Sequence, residues 1–111
     1  MNNIHYEQRA EVYTKAFEIY GKDKQCIVAL EELSECQKEI CKHLRGNGNM
    51  DHLAEEVADA TICLEQVRLM FGLNDMVCEK MDEKVKRLIN RMVQDVAAYL
   101  DGIGALAHGG K

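Results

Sequence analysis

A chain of 111 residues with 47% hydrophobic and 30% charged side chains and no proline is sized for one small domain with a single core. Such a composition suits long uninterrupted helices better than a loop-rich or sandwich fold. The formal net charge of −5 excludes a protein that grips duplex nucleic acid through its phosphates, which takes a basic surface, but it admits a triphosphate if a divalent cation bridges carboxylates to phosphates.

Five cysteines, Cys26, Cys36, Cys41, Cys63 and Cys78, form no C-x-x-C pair, and Met1-Asn2-Asn3-Ile4-His5 is no apolar signal segment. Both features point to a reducing cytoplasm, with the cysteines expected as small core hydrophobes. No stretch approaches the ~18 apolar residues of a membrane span, so no membrane partner is expected.

In chain order, Tyr6, Ala10, Tyr13, Phe17 and Tyr20 recur at helical spacing and predict a first helix over 4–20. Its aromatic stripe serves either as a core seam or as a wall for a nucleobase, with the core favoured. Gly21 ends this helix and Asp23 is expected to cap the next, over 24–45. On that second helix Ile27, Leu30, Leu33, Ile40, Cys41 and Leu44 fall in one apolar sector, while Glu32, Glu35 and Glu39 fall opposite and read, taken alone, as a solvated face.

Gly46-Asn47-Gly48-Asn49 is a loop, with Asn49 or Asp51 to cap a third helix over 50–71. Leu53, Val57, Ala60, Leu64, Val67 and Phe71 make its main stripe. Ile62, Cys63, Leu69 and Met70 add a second apolar sector, and Glu56 and Asp59 lie between the two. Glu55, Gln66 and Arg68 are expected in solvent. Gly72 closes this helix and Asn74 or Asp75 caps a fourth, whose apolar rhythm from Met76 to Tyr99 runs beside Lys80, Lys84, Lys86, Arg87 and Arg91. The single helical domain is thus expected over 1–100, with a flexible glycine-rich tail over 101–111.

Two acidic groups stand out: Glu31-Glu32-Leu33-Ser34-Glu35, and about twenty residues later Glu55-Glu56-Val57-Ala58-Asp59. Carboxylates three apart on a helix project from one side of it, so two such pairs make a metal site. Glu56 and Asp59 sit in an otherwise apolar helix, where a charge without a partner is costly. Two carboxylates ~4 Å apart repel by about 4 kcal/mol at an effective dielectric of 20, so a cation is needed. Oxygen-only ligands suit Mg²⁺, with Mn²⁺ as a substitute. Such a site reads as a hydrolase of phosphate esters or phosphoanhydrides, in which a carboxylate-oriented water attacks phosphorus.

The order E-E-x-x-E, then E-x-x-D, together with Tyr20-Gly21-Lys22-Asp23-Lys24-Gln25 and Lys80-Met81-Asp82, resembles the MazG-like nucleotide pyrophosphohydrolases of the all-α NTP pyrophosphatase superfamily over roughly residues 15–90. The resemblance implies a four- to five-helix bundle whose core is completed by oligomerisation, as a homodimer or homotetramer. It also implies a metal-dependent split of a nucleoside triphosphate into monophosphate and pyrophosphate. Glu32, Glu35, Glu56 and Asp59 are then the Mg²⁺ ligands, and Glu31 an acid that either orients the water or supports the ligands from behind. Lys80 and Lys84 would meet phosphates, and Gln25 the substrate mouth. The chain lacks tryptophan and the arginine run ending in proline of some members, which leaves base preference open.

A di-iron carboxylate bundle is disfavoured, because no glutamate has a histidine three residues on. The remaining alternative is a non-enzymatic helical interaction module with solvated acids. On the metal-site reading, the first acidic motif is a surface turned inward by a partner helix, from the same bundle or a second subunit.

Overall fold

With no proline to interrupt them, the periodic segments become helices. The computed structural model describes residues 4–107, with side chains through residue 103. Among these residues it contains no strand. The helices are α1 (Tyr6–Tyr20), α2 (Lys22–Leu44), α3 (Met50–Met70) and α4 (Asn74–Ala107), an all-α architecture as expected. By its internal contacts the chain divides into two compact units, Met1–Asn74 and Asp75–Lys111, where the sequence alone suggests one domain over 1–100.

The first unit is built on the α2–α3 hairpin. Gln25, Ala29 and Glu39 are the buried residues of α2, with Glu32 and Cys36 partly covered between them. On α3, Ala60, Cys63 and Met70 are buried, and Leu53, Glu56 and Val67 are half-buried. Both sets follow alternating steps of three and four, the spacing of a seam between antiparallel helices. The register is marked where Cys26 Sγ meets Met70 Sδ at 3.7 Å. Small residues on both sides, Ala29, Cys36, Ala60 and Cys63, let the two backbones approach.

This seam overturns the expected apolar sector of α2. Ile27, Leu30, Ile40 and Leu44 are exposed, Leu30 by 68%. A helix packs by the face that fits its neighbour most closely, and bulky Ile and Leu would hold α3 away where alanine and cysteine do not. Glu32 and Glu39 of the acidic face therefore turn toward α3, while Glu35 stays exposed at its margin. On α3 the same choice leaves Val57, Leu64 and Phe71 exposed. The cysteines divide accordingly: Cys63 is buried and Cys26 and Cys36 half-buried, but Cys41 and Cys78 are exposed instead of core.

α1 leans on this hairpin through one polar network. Glu65 of α3 accepts from Arg9 Nη2 at 2.9 Å, from Arg9 Nε at 3.2 Å and from the Tyr13 hydroxyl at 3.3 Å. Tyr13, the centre of the aromatic stripe, is buried, whereas Tyr6 and Tyr20 at its ends are exposed. Arg68 is half-buried, contrary to its expected place in solvent, because its Nε donates to Asn74 Oδ1 at 3.1 Å. Asn74 Nδ2 in turn donates to the Tyr6 hydroxyl at 2.8 Å, so this side chain links the last turn of α3 to the start of α1. Gln66 is likewise half-buried, while Glu55 is exposed as expected.

The turns show where local chemistry decides. Gly21 has φ +86° and forms a one-residue joint between α1 and α2, a conformation L side chains rarely adopt. Because that glycine occupies the cap position of α2, Asp23 does not cap. It lies in the first turn, where its charge still complements the helix N-terminus. At the start of α3 the Asn49 side chain accepts from the Asp51 and His52 amides at 2.9 and 3.2 Å, as expected. In the same loop, a Cβ on Gly48 would come within 2.7 Å of His43 Cα.

The second unit is α4, with an exposed apolar row that includes Met81, Leu88, Met92, Val96 and Tyr99. Its helix continues to Ala107, through the segment expected as a tail from residue 101. Isolated glycines such as Gly102 cost a helix about 1 kcal/mol each, and no proline is present to end it. Residues 108–111 of the expected tail lie outside those described.

Two substitutions test the seam. Ala60→Leu is expected to destabilise the protein by about 1–3 kcal/mol in chemical denaturation, while Ala58→Leu, on the exposed face, changes stability by less than about 0.5 kcal/mol.

Candidate functional site

The α2–α3 register sets carboxylates against one another. Glu32 and Glu39 are seven residues apart on the seam of α2, and Glu56 and Asp59 are one turn apart on α3, which runs the opposite way. One oxygen from each of Glu32, Glu56 and Asp59 can be chosen so that all lie within 4.8 Å of one another. Glu32 and Glu56 are partly buried and Asp59 is exposed, so the group has a closed side against the seam and an open side to solvent.

The electrostatics follow from this placement. Loss of solvent pushes the Glu32 carboxyl above the ordinary glutamate range, and the charges of Asp59 and then Glu56 push it further. Desolvation likewise raises Glu56, followed by the charges of Asp59, Glu35, Glu39 and Glu55. Glu56 Oε2 is a buried oxygen with no hydrogen-bond partner. Such an atom forfeits its hydration without recompense unless something positive sits beside it. The thiol of Cys63, deeper in the seam, is raised chiefly by burial and then by Glu32 and Asp59.

Three of the four expected ligands are therefore brought together, and the fourth stands at the margin. Glu35 is exposed and lies outside the three-oxygen group, although its charge is felt at both Glu32 and Glu56. At ~100° per residue it sits about 80° from the centre of the α2 seam, and Glu31 about 120° away. Glu31 is accordingly exposed on a face turned from α3, which places it off the group rather than within it. Gln25 is buried in the seam, about two turns from Glu32, instead of lining an open mouth.

Lys80 and Lys84 belong to the second unit. Lys80 Nζ lies 3.6 Å from Glu83 Oε2, with both side chains more than half exposed, a pairing of little energetic weight. Lys84, Arg87, Leu88 and Arg91 line a cleft of about 300 Å³, so the basic row of α4 gathers three cations in one place. In the first unit a cleft of about 350 Å³ is lined by Thr14, Phe17, Glu18, Lys22, Leu69 and Met70. Phe17 of the aromatic stripe thus faces an open cavity.

Glu39 is the residue that sequence reasoning placed on a solvated face and the fold buries. Its charge is met by Lys42 of the same helix, Nζ to Oε2 at 3.3 Å. The seven-residue interval from Glu32 carried the signal. Reading it required knowing which face of α2 meets α3.

The donor set suits a cation. Three carboxylates with no histidine or cysteine among them favour a hard divalent ion such as Mg²⁺ over zinc, and the orphaned Glu56 oxygen is an atom such an ion would satisfy. Comparison with known proteins finds no matching family model, no similar curated protein and no similar solved structure.

The raised carboxyls give the metal-free protein a characteristic pH response. A glutamate whose pKa is higher folded than unfolded binds its proton first in the folded state. Its ionisation therefore costs stability above the folded-state value, and that cost vanishes toward the unfolded value of about 4.3. Glu56→Gln is expected to be more stable than the wild type at pH 7 in chelator. The gap should close as pH falls toward 4.5, as read by thermal melts of the two proteins side by side.

Proposed function

We propose that this chain is a Mg²⁺-dependent nucleoside triphosphate pyrophosphohydrolase of the MazG-like kind, acting in the cytoplasm as a homodimer or homotetramer. The observation that carries the reading is the convergence of Glu32, Glu56 and Asp59, with their oxygens within 4.8 Å, around a buried Glu56 oxygen that lacks a partner. These three are held together by the packing of two helices against their mutual repulsion, which supports a site kept for binding rather than a solvated face.

When bound, the divalent cation supplies charge neutralisation for phosphate oxygens that an acidic protein would otherwise repel. Glu32, Glu56 and Asp59 are the residues that would hold it, and the resemblance adds Glu35 to them. Water attacks the α-phosphorus and the bond from that phosphorus to the bridging oxygen breaks. The products are the nucleoside monophosphate and pyrophosphate, and the water proton passes to a carboxylate. The resemblance gives that role to Glu31, and Glu35, nearer to the seam face of α2 by helix geometry, is the second candidate. The cationic row of Lys84, Arg87 and Arg91 has the chemistry to hold phosphate oxygens, and the resemblance assigns that task to Lys80 and Lys84.

The oligomeric part of the proposal draws on Ile27, Leu30, Ile40 and Leu44. These side chains of α2 are exposed by 45–79%, apolar surface that association with another copy would cover. The same row favours a second reading, a non-enzymatic helical oligomerisation module. Among the described residues no helix is long and apolar enough to cross a membrane, and no described cysteine is in a disulfide.

The test is a panel of ribo- and deoxyribonucleoside triphosphates incubated with Mg²⁺, with products separated by chromatography. Monophosphate plus pyrophosphate is expected, and diphosphate plus phosphate would overturn the mechanism. Glu56→Gln and Asp59→Asn should each lower turnover by about 100-fold or more, the scale on which loss of one charge-stabilising group is felt, with helicity by circular dichroism unchanged. No hydrolysis of any triphosphate, together with a stable oligomer, would favour the interaction module.

A further inference from the structure

Glu39 is the most buried charged residue among those described, at 7% exposure. It stands one helical repeat beyond Glu32 on the α2 seam and faces the part of α3 that carries Glu56. Glu35 lies between the two glutamates on the same side of α2, so the acidic surface runs on past the three-oxygen group. Left ionised and alone, Glu39 would add repulsion to a group that already concentrates negative charge. It is not left alone. Lys42, one turn on, reaches back to it with Nζ 3.3 Å from Oε2.

A buried carboxylate matched by a lysine from its own helix is an odd expense of stability if its only task is to hold α2 to α3, since Lys42 does not cross the seam. An apolar residue would pack there at lower cost. The pair makes sense as part of the electrostatics of its neighbours, because the Glu39 charge acts on Glu56. We infer that Glu39 and Lys42 form a built-in counter-charge pair that sets the affinity of the Glu32–Glu56–Asp59 group for a divalent cation, acting through Glu56 as positioning residues and not as ligands. This deepens the proposed function and rests on its reading of the acidic group as a cation site.

The pair is neutral as a whole, so its two halves act with opposite sign. Removing the lysine charge unmasks Glu39, making the site more negative and the cation tighter. Removing the Glu39 charge strands a lysine beside the site and weakens the cation. Removing both returns the field near the site to its starting value. A pair with a merely structural role behaves otherwise, because breaking it from either side loosens the seam and weakens binding both times.

Calorimetric titration of the metal-free full chain with Mn²⁺ and with Mg²⁺, at pH 7 and low ionic strength, reads these signs directly and without turnover. Lys42→Met is expected to tighten binding about 3- to 10-fold and Glu39→Gln to weaken it by a similar factor, with the double variant within about twofold of wild type. Lys42→Arg keeps the charge and should match the wild type. Should Lys42→Met unfold in chelator, Lys42→Gln carries the same charge change with more polar character. The opposed shifts should shrink in 0.5 M salt, where screening is stronger. Equal-sign shifts, or none beyond twofold, would overturn the counter-charge role while leaving the cation site intact. If the wild type bound neither ion, the cation reading itself would fall and this inference with it.

Discussion

The structure turns on carboxylates held in a helix–helix seam. α2 and α3 meet through alanine and cysteine, residues small enough to bring the backbones close, and that closeness draws Glu32, Glu39 and Glu56 into the interface. Each loses water, and each stands near others of its own charge. Hydrophobic burial and the α1 network must hold the hairpin against that repulsion. Neutral residues of the same shape would pack there at lower cost.

The remaining parts answer to this constraint. The Arg9–Glu65–Tyr13 network clamps α1 to α3 on the same helix that carries Glu56 and Asp59, two turns or less from Asp59 along the chain. It satisfies its own half-buried carboxylate with a multiply hydrogen-bonded guanidinium, which is the ordinary protein solution for a charge in a packed interface. Glu56 receives no such partner. Within one helix, then, one acid is fully provided for and another has an oxygen left without a donor.

Much of the architecture was legible in the sequence because it depends on local signals. The absence of proline, the apolar periodicity, the Asn49 cap and the loop glycines locate the helices to within a few residues. Of the acids of α3, Glu56 is half-buried as its apolar surroundings suggested, whereas Asp59 is exposed at the open edge of the seam. The facing of α2 was not legible. Its most hydrophobic sector, Ile27 to Leu44, suggested the core, yet close approach selected the face with Ala29 and Cys36. Hydrophobicity alone ranks faces by transfer free energy, whereas packing ranks them by fit, and here the two disagree. Glu65 gave no local sign of its role, because its partners lie more than fifty residues away. The long continuation of α4 past Leu100 went unread because glycine weakens a helix without forbidding it.

The most direct test of the account is the melting temperature of the full chain as a function of Mg²⁺ or Mn²⁺ concentration, compared with Glu56→Gln under the same conditions. A cation that binds only the folded site adds stability as its concentration rises, about 2.7 kcal/mol at a hundred times the dissociation constant. The account predicts a progressive rise for the wild type and a much smaller one for Glu56→Gln. An unchanged melting temperature in either ion, or an equal rise in both proteins, would contradict it.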